Sequence, residues 1–405
     1  MFSEPPKVII GRQAIFDRDM NVFAYELLFR SDSSANVASF TADQADMATS
    51  RVINHAFMEI GIERVLGEHI GFINLTRTFL LSDDPLPFTQ EKIVLEVLED
   101  IELDDSLLGA VQNLVKQGYT LALDDFVMNE HLKPLVQLAK IIKVDVLNVS
   151  EAELRAHVSE LKLFPVRLLA EKIETREMFT LCKELGFELF QGYYFSRPNI
   201  IEDKPVPGDH KKLFQIIEKL QDQDVEFREV EALIIQDVTL SYKLLRLLNS
   251  AAMGLRRKVE SIQQALVILG LGAIRTWTTL IAMNAIESVP PELMMNALIR
   301  AKMCEKLASE YGFPEQTGFL TGMLSNLDVM MGIPMENLMN DLPLSGEIKL
   351  ALTHGGGPLG SLLTAVALYE QGEWDKIQDA HLSLSQMSDA YVEATDWAIQ
   401  AKSVL

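Results

Sequence analysis

The sequence predicts two domains of different class, an α/β barrel followed by an all-α domain. The chain has 405 residues, which suits two domains with sizeable cores. Before about residue 200, short apolar runs alternate with helix-like stretches, and after it only helix-like stretches remain. Residues 201–209 hold two prolines and a glycine among charges, which is typical of a linker. We therefore expect a barrel at 1–203, a linker at 204–209 and a helical domain at 210–405.

The strands of the first half are expected from apolar runs, most of them short and rich in β-branched residues or leucine. Such runs are typical of strands buried on both faces. They cover residues 8–10, 22–29, 71–75, 93–97, 120–123, 141–146, 167–170 and 188–190. Amphipathic stretches at 45–66, 105–117 and 175–185 predict intervening helices, the last two followed by Gly118 and Gly186.

The alternation of strands and helices predicts a parallel sheet with crossover helices, and its compactness favours a barrel. The first two runs depart from this pattern. Only residues 17–21 separate them, and Asp17-Arg18-Asp19-Met20-Asn21 is a turn sequence too short to hold a helix. The first strand should therefore pair antiparallel with the second.

The second half shows helical periodicity and no strand signal. The expected helices cover residues 211–221, 227–236, 241–248, 262–269, 272–285, 293–311 and 361–370. This pattern predicts a separate all-helical domain.

The charge of the chain excludes whole classes of partner. With 36 basic and 58 acidic residues the net charge is −22, so long-range attraction to DNA or to an anionic membrane is not expected. The two cysteines form no framework, and the N-terminus lacks a leader pattern. The apolar run at 265–274 is interrupted by Arg275 before it reaches the length of a membrane span. These features predict a cytoplasmic protein with no membrane segment.

Polar residues gather at the predicted strand ends, where (β/α) barrels carry their chemistry. They are Glu26, Asn74, Glu96, Glu99, Asp124, Asp125, Lys143, Asp145, Glu171, Glu174 and Gln191. Each has a simpler explanation: Glu174 could begin the following helix, and Lys143 could pair with Asp145 on the surface. Converging carboxylates, however, repel by about 3 kcal/mol per pair at 5 Å and an effective dielectric near 20. Bound cations or raised pKa values must then offset that repulsion.

Carboxylate and amide oxygens without clustered histidine or cysteine favour Mg²⁺ or Mn²⁺. Several acids around a pair of such ions is an arrangement that serves phosphodiester hydrolysis.

Seven motifs carry a specific resemblance to a known family. AYELLFR, INLT, LEVLED, LALDDF, IIKVD, LLAEKIE and FQGYYFSRP resemble, in order, the motifs of EAL domains, the cyclic-di-GMP-specific phosphodiesterases, over about residues 7–200. The resemblance implies a TIM-like (β/α)8 barrel with an antiparallel first strand. It also implies hydrolysis of cyclic di-GMP to linear pGpG by metal-activated water attacking in line.

The resemblance implies a role for each matching residue. The implied metal ligands are Glu26, Asn74, Glu96 and Asp124, with Asp125 serving a second metal. Lys143 is similar to the lysine that holds the attacking water and stabilises phosphate charge, and Glu171 resembles the candidate general base. The remaining matches are the supporting Glu99 and Glu174 and the substrate-side Arg30 and Gln191.

The sequence departs from the family pattern in three places. Leu27-Leu28 replaces Ala-Leu after the signature glutamate, a mild apolar change. The loop after Asp125 begins at Phe126 and has Val127 where the family has glycine, so its backbone must take another shape. In the family this loop helps to order the second metal and the dimer contact. Lys172 replaces another glycine, and it could either screen the acids or point away into the helix layer.

The helical half resembles a second family. Residues 244–277 are similar to the core signature of HDOD domains, all-α relatives of HD metal hydrolases that usually regulate or scaffold. In TGMLSNLD, Ser325-Asn326 stands where a His-Asp pair would sit. We therefore expect no metal hydrolysis from this half, and a protein partner for it.

The leading interpretation is a bacterial cyclic-di-GMP phosphodiesterase controlled by its HDOD half, with a homodimer possible. The alternative is a degenerate EAL domain that binds cyclic di-GMP, or only a protein partner, without hydrolysis. The altered loop at 126–129 motivates that alternative.

Overall fold

The computed structural model describes most of both halves of the chain. The described residues are 8–31, 61–82, 86, 88–98, 101, 103–124, 130–147, 149–192, 218–220, 226–236, 238–250, 253, 255, 259–284, 291–331, 333–342, 344–379 and 381–402. The chain divides into two compact units, Met1–Arg197 and Pro198–Leu405.

The first unit is a closed barrel in which the strands follow one another in chain order. The strands are β1 Val8–Phe16, β2 Val22–Ser31, β3 Ile70–Leu75, β4 Ile93–Val97, β5 Thr120–Leu123, β6 Ile141–Asp145, β7 Arg167–Glu171 and β8 Leu189–Phe190. β1 pairs antiparallel with β2 and β8, while the pairs from β2 through β8 are parallel. The predicted barrel with its antiparallel first strand is confirmed.

β1 and β2 are longer than the predicted runs because they form a ribbon that extends past the rest of the barrel. β3 pairs only with the Ala24–Leu27 part of β2, whereas β1 follows β2 to its end, where Val8 faces Ser31. The turn between them holds its shape because Asp17 accepts backbone hydrogen bonds from Asp19 and Asn21.

Short helices connect the parallel strands. They are α1 Glu63–Leu66, α2 Arg77–Leu80, α3 Asp105–Lys116, α4 Lys133–Leu138, α5 Glu151–Leu161 and α6 Arg176–Leu185. Local capping fixes where they begin and end: Ser150 and Glu153 form a capping box on α5, and Thr175 caps α6. Gly186 ends α6 in the left-handed conformation, as the sequence predicts.

In the described residues of the second unit, the regular secondary structure consists of helices. Its helices are α7 Phe227–Gln236, α8 Val238–Leu248, α9 Ile262–Asn284, α10 Pro291–Leu307, α11 Glu315–Leu324, α12 Leu327–Met331, α13 Met335–Asp341, α14 Gly346–His354, α15 Gly357–Glu370 and α16 Leu384–Lys402. A non-helical Gly270 kinks α9, which explains the two separate helices expected there.

Glycines and aromatic rings hold the helical unit together. A Cβ added at Gly318 or Gly322 of α11 would lie within 2.6 Å of the backbone of α10, so the two helices pack at close range. Trp277 of α9, Phe319 of α11 and Trp397 of α16 form one aromatic cluster, with ring centroids 5.1–5.9 Å apart.

Five helices of this unit were not predicted. α11 through α14 and α16 are mostly short or lack a clear apolar stripe, so helical periodicity alone does not reveal them. The helix expected from residue 361 begins earlier, at Gly357, because Pro358 suits a first helical turn. Most of the helix expected at 211–221 and most of that at 45–66 lie outside the described residues, although residues 218–220 are described and helical.

One segment of the described helices, Ile262–Ile281, is long and apolar enough to cross a membrane, with a mean hydropathy of 1.4. Half of it is buried within the protein. A single helix of this kind is consistent with the core helix of a soluble protein.

Candidate functional site

The barrel interior has an apolar layer and, towards one end, a polar layer. The apolar layer is formed by Ile15, Ala24, Phe72, Val94, Ala122, Ile141, Leu169 and Leu189, one residue from each strand. Because side chains alternate along a strand, the residue two positions away points into the same interior. Those residues are Gln13, Glu26, Asn74, Glu96, Asp124, Lys143, Glu171 and Gln191. Every strand therefore directs one polar group towards the mouth of the barrel.

Lys143 lies at the centre of this polar layer. Its side chain is 1% exposed, and its Nζ lies 2.9 Å from carboxylate oxygens of Glu96, Asp124 and Glu171. A fourth carboxylate, that of Glu26, lies 3.4 Å away. We call these five residues the Lys143 cluster. The suggested surface pairing of Lys143 with Asp145 is wrong, because β6 points Lys143 into the barrel.

Amide side chains orient Glu26 within the cluster. Asn74 donates through Nδ2 to Glu26 Oε1 over 3.0 Å, and Gln191 donates through Nε2 to Glu26 Oε2 over 2.7 Å. Gln191 also donates to Gln13 Oε1 over 2.9 Å. These hydrogen bonds link β1, β2, β3 and the end of β8, so they close the polar layer on the side opposite the lysine.

Burial and mutual repulsion shift the pKa values of the cluster. Burial, followed by the nearby Glu26 charge, raises the pKa of Glu96 well above its ordinary value. Burial raises the pKa of Glu171 to about 8, although Lys143 opposes the shift. Burial alone would lower the pKa of Lys143, but Glu96 and the other surrounding carboxylates raise it well above its ordinary value. Lys143 is therefore a cation at neutral pH.

The donor set fits a divalent cation. Among the described residues, Asn74 Oδ1 and Glu96 Oε2 are buried and receive no hydrogen bond. Unpaired buried oxygens of this kind are costly unless something positive meets them. In the described part of the chain, however, the side chains do not stand in metal-ligand geometry. No three or more described His, Cys, Asp or Glu residues are arranged so that they could hold a metal ion as they stand. The Lys143 ammonium instead lies between the carboxylates.

The other predicted site residues lie in different places. Arg30 is half-buried on the β1–β2 ribbon, four residues beyond Glu26, and therefore on the same face as that glutamate. Glu174 is exposed beside the cap residue Thr175 and is not brought into the Lys143 cluster. Glu99, Asp125 and the altered loop at 126–129 lie outside the described residues.

Lys172 neither screens the Lys143 cluster directly nor enters the helix layer. Its Nζ lies 2.6 Å from Asp145 Oδ2 at the neighbouring strand end. Its backbone has a φ of 56°, one of two left-handed residues other than glycine in the described chain. The second oxygen of Asp145 accepts the backbone N–H of Leu147, so both Asp145 oxygens are engaged.

Gln13 was missed from the sequence. The apolar run at residues 8–10 predicts a first strand that ends before Gln13. The signal was the short turn at residues 17–21, because an antiparallel strand must reach that turn and therefore must include Gln13.

In the helical unit, an ion cluster lies at Ser325-Asn326, the position that the sequence predicts to have no His-Asp pair. Arg300 Nη1 donates to Ser325 Oγ and Asn326 Oδ1 over 3.0 and 2.9 Å. Its Nε and Nη2 donate to Glu370 Oε2 over 2.9 and 2.6 Å. A guanidinium thus occupies the centre of this polar group, which gives no metal-ligand geometry among its described residues.

Two domain families match the chain. The EAL domain matches residues 35–198, and the HDOD domain matches residues 206–340. The cyclic di-GMP phosphodiesterase CdgJ of Vibrio cholerae is 34% identical, with 96% of this chain and 92% of that protein covered. The YuxH protein of Bacillus subtilis is 33% identical, with 96% of this chain and 98% of that protein covered.

Solved structures resemble the barrel half. An EAL domain protein from Listeria monocytogenes is 20% identical and covers 47% of this chain and 88% of its own, with a TM-score of 0.39. The manganese and cyclic-di-GMP complex of BlrP1 from Klebsiella pneumoniae is 22% identical and covers 48% of this chain and 56% of its own, with a TM-score of 0.38.

Proposed function

The chain belongs to the EAL–HDOD family, and on that basis we propose that its barrel hydrolyses cyclic di-GMP to linear pGpG at the Lys143 cluster. The protein is a cyclic-di-GMP phosphodiesterase. Its relative CdgJ carries that activity in its name. The product, the metal and the role of each residue are part of the proposal.

The observation that carries the proposal is the Lys143 cluster itself. Four carboxylates surround one buried ammonium at the mouth of a barrel. Asn74 Oδ1, Glu96 Oε2 and Gln191 Oε1 there are buried and receive no hydrogen bond. A purely structural core would bury apolar groups at these positions, since buried ion clusters seldom stabilise a fold over well-packed hydrophobic residues. The arrangement is therefore suited to bind and process a charged ligand.

The proposed cofactor is Mg²⁺ or Mn²⁺ in a two-metal site. Glu26, Asn74, Glu96 and Asp124 would hold one ion through oxygen atoms, and Asp125 would serve the second. When bound, such ions lower the pKa of water and neutralise charge on the phosphate.

The chain's own residues supply positioning and proton transfer. Lys143 Nζ holds the attacking water and offsets charge on the phosphate oxygens. Glu171, whose ionised form is favoured by divalent cations bound beside it, accepts the proton of that water as the water oxygen bonds to phosphorus, and one phosphate ester bond of the cyclic dinucleotide breaks. The departing ribose oxygen takes up a proton from solvent, Glu171 later releases its proton to solvent, and linear pGpG is left. Arg30 contacts the substrate from the ribbon, and Gln191 contacts it from the end of β8. Glu99 is proposed to support this set, and Glu174 is proposed to do so from its exposed position outside the Lys143 cluster.

The helical half is proposed as a regulatory module that binds a protein partner. Its boundary is proposed at residue 210, after a linker at 204–209. We place the protein in the cytoplasm, without DNA or membrane partners, and retain a homodimer as a prediction. A truncated chain ending at residue 203 should remain folded, and its circular dichroism and thermal melt would show this.

A second candidate function is cyclic-di-GMP binding without hydrolysis. Val127 replaces a glycine in the loop that follows Asp125, which motivates this alternative. A receptor of this kind would bind the dinucleotide and release no pGpG.

One assay separates the two functions. Purified full-length protein is incubated with cyclic di-GMP and Mg²⁺ or Mn²⁺, and pGpG is followed by chromatography. Glu26→Ala should lower turnover by more than the roughly 10- to 100-fold typical of losing an outer-shell contact at a metal site. The matched control is Glu151→Ala on exposed α5, which should retain activity. Binding without turnover by the wild-type protein would establish the receptor instead.

A further inference from the structure

The ends of β6 and β7 carry a charge pair that lies outside the Lys143 cluster. Asp145 is the last residue of β6 and pairs in register with Glu171, the last residue of β7. Because Asp145 stands two positions beyond Lys143, its side chain points to the same side of the strand, one layer nearer the solvent. Without a counterion, Asp145 would add a further negative charge to the mouth.

Lys172 supplies that counterion at a cost to its own backbone. A left-handed φ of 56° is unfavourable for a residue with a Cβ. The Lys172 Nζ nevertheless reaches Asp145 Oδ2 over 2.6 Å, while Leu147 N–H donates to Asp145 Oδ1. The two partners keep 51% and 29% of their side-chain surface exposed, so they form a bridge at the edge of the mouth.

We infer that Lys172 lowers the affinity of the barrel mouth for divalent cations by pairing with Asp145. This inference rests on the proposed function, because it concerns the cation that the Lys143 cluster holds. Lys172 acts through Asp145 and touches no reacting atom, so it is a positioning residue. The lysine removes one negative charge from the field at the mouth and fixes the Asp145 carboxylate away from the cations.

The expected size of the effect follows from Coulomb's law. One unit charge at about 10 Å and an effective dielectric of about 40 changes a divalent cation's affinity by roughly 15-fold, and screening with a Debye length of about 10 Å reduces this to about threefold. Removing the Lys172 charge should therefore tighten Mn²⁺ binding about threefold at moderate ionic strength.

The test measures Mn²⁺ binding directly, by isothermal titration calorimetry of the full-length protein without substrate. Lys172→Met removes the charge and keeps the length of the side chain, whereas Lys172→Arg keeps the bridge. Lys172→Met should bind Mn²⁺ about threefold more tightly, and Lys172→Arg should match the wild type. The double variant Lys172→Met/Asp145→Asn should return to wild-type affinity, because the released charge is then absent.

The control variant is Arg155→Met, which breaks an exposed Arg–Glu pair on α5 of the same unit. Its Mn²⁺ affinity should equal that of the wild type. Equal affinities of wild type and Lys172→Met would overturn the inference while leaving the proposed function intact. A double variant that binds as tightly as Lys172→Met would also overturn it, since Asp145 would then not be the paired group. Absence of Mn²⁺ binding in the wild type would overturn both.

Discussion

Gln191 and Glu26 are joined by a hydrogen bond of 2.7 Å across strands that are not neighbours in the barrel. Gln191 follows β8 and Glu26 lies on β2, with β1 between them. The bond spans β1, so the seam where the sheet closes is also the place where the signature glutamate is oriented. Closure of the barrel and preparation of the site therefore depend on one another.

Lys143→Met should destabilise the metal-free protein by about 3–5 kcal/mol, because it leaves four carboxylates without their buried counterion. Added Mg²⁺ or Mn²⁺ should recover part of that loss by taking the place of the ammonium among the acids. Urea unfolding with chelator and with metal measures both effects. A Lys143→Met protein that is as stable as wild type in chelator would contradict the central role of the ammonium.

The metal-free protein should lose stability as pH rises towards 8. A carboxyl whose pKa is higher when folded than when unfolded binds its proton more tightly in the folded state. The stability that this carboxyl contributes is fully present below about pH 4.5, the ordinary pKa of a glutamate. It is lost as pH rises through about 8, the raised pKa of Glu171. The raised pKa of Glu96 acts in the same direction.

Glu171→Gln cannot titrate and serves as the reference for this effect. The free energy of unfolding of wild type and of Glu171→Gln is measured in chelator from pH 4.5 to 8.5. The value for the wild type should fall relative to that for Glu171→Gln as pH rises. A difference that stays constant with pH would show that Glu171 titrates at its ordinary value.

Gln13→Ala should reduce turnover by roughly tenfold with little change in melting temperature. Gln191 would lose one of its two described acceptors and would hold Glu26 less firmly. Since Gln13 is proposed to act through Gln191, kcat should fall more than KM rises. The control Gln112→Ala changes an exposed glutamine on α3 and should leave both constants unaltered.

Arg300→Met should destabilise the helical unit by about 3–5 kcal/mol, because it leaves the Glu370 carboxylate buried without its partner. Burial already raises the pKa of Glu370 despite the nearby guanidinium. The double variant Arg300→Met/Glu370→Met removes both charges and should recover much of the loss. Thermal melts of the full chain measure these changes, and equal melts of the two variants would contradict the pairing.

The sequence predicted the strands of the barrel better than the details of its mouth. Periodicity of two and strand-end polarity placed Glu26, Glu96, Asp124 and Glu171 correctly in one group. They did not reveal the four-way contact of Lys143, because a lysine two residues from an aspartate equally suits a surface pair. That ambiguity is resolved only when closure of the sheet determines which side of β6 faces inward.

The pair formed by Lys172 and Asp145 could not be predicted for a similar reason. The two residues are 27 positions apart, and their contact depends on the left-handed backbone of Lys172. Nothing in local composition marks a lysine for that conformation, which glycine adopts far more readily.

The extended β1–β2 ribbon has a practical consequence. Because β1 runs against β2, the first residue of the barrel, Val8, faces Ser31 beyond the level of Glu26. The N-terminal end of β1 therefore lies at the same rim of the barrel as the Lys143 cluster. A bulky probe attached at the start of β1 would stand beside the route of substrate entry and should alter measured rate constants.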